Sequence, residues 1–129
     1  MKRLHWVSSS KKDVLGFPDQ VRHDVGYMLW LAQLGDKGIN AVPMVGFGGA
    51  SVLEVVVDDH GNTYRAVYTV RFRQAVYVLH AFQKKSKRGI ATPQPDIDLI
   101  RSRLKVAESH YSENYGREAR MEGKNDQRA

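Results

Sequence analysis

Three cations of the sequence, Arg65, Lys84 and Lys85, are spaced so that two neighbouring strands would bring them together. The runs TYRAVYTVRF and QAVYVLHAFQ are rich in β-branched and aromatic residues, as strands are. If they pair through the short link RFRQ, Arg65 falls at the far end of the hairpin, close to both lysines. A guanidinium beside ammonium groups binds phosphate and stabilises developing negative charge. The spacing therefore indicates a phosphate site, with a solvated sheet face carrying dispersed cations as the alternative.

Further cations flank this cluster. By the two-residue period of a strand, Arg71 and Arg73 would share a face with Arg65. The opposite face would be mostly apolar and would carry Tyr64, Ala66, Tyr68 and Val70. Lys87 and Arg88 continue the basic run KKSKR after the last strand.

The net charge of +6 belongs to residues 1–111, because the last 18 residues carry four cations and four acids. Between residues 84 and 105 there are seven Lys or Arg against two Asp. Such a field favours a polyanionic partner, nucleic acid or an acidic protein segment. The alternative is a basic surface that serves solubility alone.

Several function classes lack support in the sequence. There is no cysteine, so a disulfide framework and a thiolate metal site are excluded, and a cytoplasmic location is compatible with this. No apolar run is long enough to cross a bilayer, and the start MKRLHWVSSSKK has no signal-peptide core. The stretch VGFGGAS lacks the Lys-Ser/Thr ending of a P-loop. DDHGN is explained by turn chemistry without a metal, so we expect neither a metal nor a cofactor.

The order of elements predicts an α+β domain. RLHWV reads as a short strand, and SSSKKD offers Ser10 as the N-cap of a short helix. DQVRHDVGYMLWLAQLGDKG predicts a second helix that ends at Gly35, and INAVPMVGFGGA predicts a loop. Three strands would then form an antiparallel meander because their connections are short. A final helix carries one apolar stripe, which consists of Ile97, Ile100, Leu104, Ala107 and Tyr111.

This order predicts a small antiparallel sheet with the two N-terminal helices packed on one face and a C-terminal helix. The other face of such a sheet can stay exposed to water, and a ligand would lie there. Residues 1–111 would form one domain, and residues 112–129 would form a polar, disordered tail.

The second half of the chain resembles the RelE/ParE superfamily of type II toxins, and its HigB-like, phage-derived branch most. The resemblance is carried by GFGGASVLE before the meander, GNTYR opening its middle strand, HAFQKKS closing its last strand, and TP before the final helix. The earlier β-α-α order fits the topology of this superfamily.

The resemblance implies a toxin that cleaves mRNA on the ribosome without a metal ion and that a helix-turn-helix antitoxin neutralises. Toxin and antitoxin would bind operator DNA through the antitoxin. Matched positions imply that Arg65 holds the scissile phosphate and that Lys84 and Lys85 stabilise developing charge. Glu54 and His80 are candidates for proton transfer, with an arginine partner and a packed histidine as their alternatives. Four further cations would bind flanking RNA: Arg71, Arg73, Lys87 and Arg88.

One position departs from the superfamily pattern. Well-studied members often place a Tyr or His shortly after the basic turn, whereas this chain reads RGIATPQP and offers Thr92. An alternative function is therefore a ParE-like toxin that targets gyrase, or an inactive protein that binds RNA or a partner.

Overall fold

The computed structural model describes residues 1–36, 41–84 and 92–128, with side chains described as far as residue 116. The elements in chain order are β1 (Arg3–Trp6), α1 (Ser10–Leu15), α2 (Asp19–Gln33), β2 (Ala41–Pro43), β3 (Val52–Asp59), β4 (Asn62–Thr69), β5 (Ala75–Lys84) and α3 (Gln94–Arg128). The predicted α+β class is confirmed. No helix in the described ranges is long and apolar enough to span a bilayer.

The strands form one five-stranded sheet in the order β1-β5-β4-β3-β2. The predicted meander is confirmed, because β3, β4 and β5 pair antiparallel. The sheet as a whole is mixed, since β1 pairs parallel with β5. β2 pairs with β3 inside the segment predicted to be a loop, so that prediction was wrong for residues 41–43. A strand of three residues beside a glycine-rich segment is too short to show the alternation of apolar and polar residues that indicates a strand.

The turn between β3 and β4 consists of His60 and Gly61, both with positive φ angles of 50° and 82°. Two such residues are what a tight two-residue hairpin requires. The turn interpretation of DDHGN is thereby confirmed, and it fixes the register between β3 and β4.

An extra residue, Leu79, interrupts the regular pairing of β5 with β4. Val67 pairs with His80 and Tyr68 pairs with Val78, so Leu79 has no partner residue on β4. Such a bulge lets two successive side chains point to the same face. Leu79 consequently packs with the apolar residues of one face, and His80 lies on that same face.

Both faces of the sheet bear a hydrophobic core. One core joins α1 and α2 to side chains such as Val55, Ala66 and Val78. The other joins α3 to Val67 and Leu79, among others. The predicted open, water-exposed face was therefore wrong, because the apolar stripe of α3 needs an apolar surface to cover it and finds it there.

Two helix ends differ from the prediction: α3 continues to Arg128, through the segment expected to be a disordered tail, and α1 begins after a different serine. Ser9, and not Ser10, is the N-cap residue, and Ser10 is buried with its Oγ donating to the carbonyl oxygen of Val78 at 3.1 Å. α2 ends as predicted, because Gly35 adopts a φ of +88° that favours glycine.

Two histidines and two tyrosines attach the far part of α3 to β1 and β5. The Nε2 of His5 lies 2.8 Å from the hydroxyl of Tyr115, and the hydroxyl of Tyr77 lies 2.6 Å from Nδ1 of His110. The contacts of α3 with the sheet thus extend at least as far as Tyr115. Gly116, with φ of 56°, interrupts the helix directly afterwards.

We predict that this cluster makes folding stability depend on pH. Burial, and then the positive charges of His110 and Arg3, lower the pKa of His5 below its ordinary 6.5. The folded protein binds that proton more weakly than the unfolded chain, so the free energy of unfolding falls as pH drops below about 6.5. Urea unfolding at pH 7.5 and 5.5 measures this loss.

The His5→Phe variant should lose less stability between these two pH values, because it keeps a ring but takes up no proton. His23→Gln is the matched control, since the side chain of His23 is 79% exposed. An equal pH-dependent loss in His5→Phe and the wild type would contradict the assignment.

Candidate functional site

Four titratable side chains lie close together on the sheet face that α3 partly covers. They are Glu54 on β3, Arg65 on β4, and His80 and Lys84 on β5. Arg65 is opposite Phe82, which places His80 and Lys84 on its two diagonals, while Glu54 lies diagonally across on β3. Diagonal neighbours are about 7–8 Å apart at their backbones, within reach of long side chains. The predicted approach of Arg65 to Lys84 is confirmed.

Arg65 and Glu54 form a buried ion pair. Nη1 of Arg65 donates to Oε1 of Glu54 at 2.7 Å, and the two residues are 8% and 7% exposed. The hydroxyl of Thr92 donates to the other oxygen, Oε2, at 3.1 Å. Both carboxylate oxygens therefore accept hydrogen bonds, and the structure supports the alternative of Glu54 as an arginine partner.

Lys84 completes the cationic part of the site. It is 7% exposed. Burial, followed by the positive charge of Arg65, lowers the pKa of this lysine against the opposing effect of Glu54. A lysine with a lowered pKa loses its proton more readily, so it can take part in proton transfer as well as in charge stabilisation.

His80 is held from both ring nitrogens. Nε2 lies 2.7 Å from Oδ1 of Asp96, and Nδ1 lies 3.5 Å from Nη1 of Arg103. Because a guanidinium only donates, these partners assign the proton to Nε2 and leave Nδ1 as the acceptor. The ring also stacks on Phe82, with centroids 4.7 Å apart. In this arrangement His80 is a packed, fully engaged histidine.

Asp96 and Arg103 are site residues that the sequence did not reveal. Both lie on α3, and Arg103 also donates to the carbonyl oxygen of Leu79 at 3.0 Å and to Oγ of Ser9 at 3.1 Å. Arg103 thus joins α1, the bulge in β5 and His80. The sequence does show an acid, Asp96, in the first turn of the final helix. Nothing in the sequence indicates that this acid binds His80 on β5.

Two of the other predicted cations, Arg71 and Arg73, do not join this site. Arg71 and Arg73 follow the end of β4 at Thr69, at the opposite end of that strand from the hairpin. Arg71 pairs with Glu108 of α3 at 3.1 Å. The predicted continuous cationic face of Arg65, Arg71 and Arg73 was therefore wrong, because the strand ends before the second arginine. Lys85, Lys87 and Arg88 lie outside the described residues.

The site is closed in this structure. Glu54, Arg65, His80 and Lys84 are each less than a tenth exposed. Chemically, the group offers a fixed guanidinium and an ammonium with a lowered pKa for an anion. It also offers a carboxylate and an imidazole. In the described ranges no group of three or more His, Asp or Glu residues is placed to hold a metal ion.

Comparison with known proteins identifies the family. No curated protein and no solved structure matches the chain significantly. One family model matches residues 12–105, which is well over half of the chain and includes Glu54, Arg65, His80 and Lys84. That family, described as phage derived protein Gp49-like (DUF891), is associated with toxins of toxin–antitoxin systems. The chain belongs to the Gp49-like family of phage-derived proteins.

Proposed function

We propose that the protein is the toxin of a type II toxin–antitoxin system and that it cleaves mRNA on the ribosome. Its partner would be a helix-turn-helix antitoxin. The observation that carries the proposal is the convergence of Arg65 and Lys84, from adjacent strands, beside the buried carboxylate of Glu54. Two cations placed in this way fit a phosphodiester and the extra charge that it gains in the transition state.

The proposed reaction is an internal transesterification of RNA. The ribose 2′-oxygen attacks the neighbouring phosphorus, a 2′,3′-cyclic phosphate forms, and the bond to the 5′-oxygen of the next nucleotide breaks. The 2′-hydroxyl gives up a proton, and the departing 5′-oxygen gains one from water or a second group. Arg65 would hold the phosphate, while Glu54 would keep its guanidinium in position.

Lys84 is the best-placed described group to accept the 2′-hydroxyl proton. Its lowered pKa increases the share of neutral amine, which is the form that accepts a proton. Glu54 is less suited because it holds the guanidinium of Arg65 in position, and His80 is less suited because its ring is held between Asp96 and Arg103. Lys85 stays a proposed charge-stabilising residue. Four cations stay proposed contacts to flanking RNA: Arg71, Arg73, Lys87 and Arg88.

A second candidate is a toxin that inhibits gyrase without cutting RNA. The closed state of the site favours it, because a phosphate reaches Arg65 only after neighbouring groups move. Induced expression separates the two candidates: gyrase inhibition damages DNA and leaves mRNA intact.

The ion pair gives a prediction on stability. Arg65→Met leaves the buried carboxylate of Glu54 without its guanidinium and should lower the free energy of unfolding by about 3–5 kcal/mol. The double variant Glu54→Gln/Arg65→Met removes both charges and should recover most of this loss. Urea unfolding of the wild type, both single variants and the double variant forms a complete cycle. Additive effects in that cycle would contradict the pairing.

The same double variant tests cleavage separately from folding. Induced wild-type protein should arrest growth and produce new mRNA 5′ ends. The folded double variant should lose at least about 100-fold in cleavage, because the phosphate loses its guanidinium. Lys11→Ala on α1, on the opposite side of the sheet, is the control and should cleave normally. Growth arrest without new mRNA ends in the wild type would reject the proposed function.

A lysine-to-arginine change tests the role of Lys84. Lys84→Arg keeps the positive charge but cannot supply a neutral base, so cleavage should fall by about 100-fold or more. In the wild type the rate should rise with pH toward the pKa of Lys84, since the neutral amine is the active form. If Lys84→Arg remains active with the same pH profile, Lys84 stabilises charge and does not accept the proton.

A further inference from the structure

α2 and its C-cap residue, Leu34, carry a second apolar stripe that points away from the sheet. Its buried stripe consists of Val21, Val25, Met28, Leu29 and Ala32. On the outer side Tyr27, Trp30 and Leu34 are 54%, 45% and 51% exposed. The rings of Tyr27 and Trp30 lie 5.9 Å apart, so they present one continuous aromatic surface. This spacing of three and then four residues gives a second helix face that is apolar over about 10 Å.

The stripe leads into a groove of about 480 Å³ at the end of α2. Leu34 belongs to both, and the described groove residues include three cations and no acid: Lys2, Arg3 and Arg73. The remaining lining is provided by Met1, Gln33, Gly35 and Gln74. We call the stripe and this groove together the α2 surface.

The α2 surface is separate from the candidate site. α2 packs on the sheet face that carries Val55 and Ala66, whereas Arg65 and Lys84 lie on the face shared with α3. Neither the proposed cleavage nor the stability of the core requires an exposed Trp and Tyr at this place. These residue types are enriched at the centres of protein interfaces.

We propose that the α2 surface binds an amphipathic helix of the antitoxin. Its apolar side chains would cover Tyr27, Trp30 and Leu34, and its acidic residues would enter the groove beside Lys2 and Arg3. The cations of the groove favour a segment with acidic residues, because the charges are complementary. The apolar stripe favours the apolar face of a helix over a nucleic-acid backbone. The inference rests on the proposed function in taking the partner to be the antitoxin.

The test uses full-length protein and the purified product of the gene next to its own, with affinity measured by calorimetry. Trp30→Lys and Leu34→Lys should each weaken binding at least 10-fold. Leu15→Lys is the matched control, because Leu15 on α1 is 57% exposed and lies outside the α2 surface, and it should bind like the wild type. Lys2→Glu/Arg3→Glu should also weaken binding and reduce its dependence on salt. Circular dichroism confirms that each variant is folded.

The proposal is overturned if the neighbouring gene product does not bind the wild type, or if it binds Leu34→Lys and Leu15→Lys equally. It is also overturned if the charge reversal lowers affinity for a single-stranded RNA and leaves protein binding unchanged. Failure of the proposed function is recognised separately, because mRNA cleavage is measured with the free protein. Free Trp30→Lys should still cleave mRNA, while its neutralisation should need at least 10-fold more antitoxin than the wild type needs.

Discussion

The bulge at Leu79 is the constraint on which the arrangement of the site depends. Without it, the strict alternation of β5 would place Leu79 and His80 on opposite faces. With it, β5 buries Leu79 under α3 and also presents His80 and Lys84 beside Arg65 on that same face. A bulge leaves backbone groups outside the regular ladder, and Arg103 binds the carbonyl oxygen of Leu79. The helix α3, which covers this face, therefore also donates a hydrogen bond to the bulge that brings Leu79 and His80 to the face.

The Glu54–Arg65 pair introduces a second constraint, because buried charges are stable only when they are compensated. Arg65 has Glu54 at 2.7 Å, and the same carboxylate accepts from Thr92, the residue that leads into α3. Lys84 adds a cation close enough for Arg65 to lower its pKa. On the proposed function, a bound phosphate would lie beside Arg65 and Lys84 and add a negative charge next to these two cations.

The sequence predicted the elements better than the site. Strong local patterns, such as the HGN turn, the stripe of α3 and Gly35 at the end of α2, were confirmed because their causes lie within a few residues. The interpretation of Arg71 as a neighbour of Arg65 assumed a strand that continues past Thr69. The partners of His80 lie 16 and 23 residues away on a helix, and no local pattern indicates them. Convergence of distant side chains was predictable only for Arg65 and Lys84, whose hairpin has a short link.

The closed site implies that RNA binding, on the proposed function, must supply the free energy of opening. A ligand shifts such an equilibrium only by its difference in affinity for the two states. Since Arg65 is 8% exposed, free RNA should bind weakly on the proposed function, because part of its binding free energy would be used to open the site. Contacts to cations outside the site would add affinity in an open state without competing with Glu54. A large RNA assembly such as the ribosome offers many such contacts at once, whereas a short oligonucleotide offers few, so the proposed cleavage would have a physical reason to depend on the ribosome.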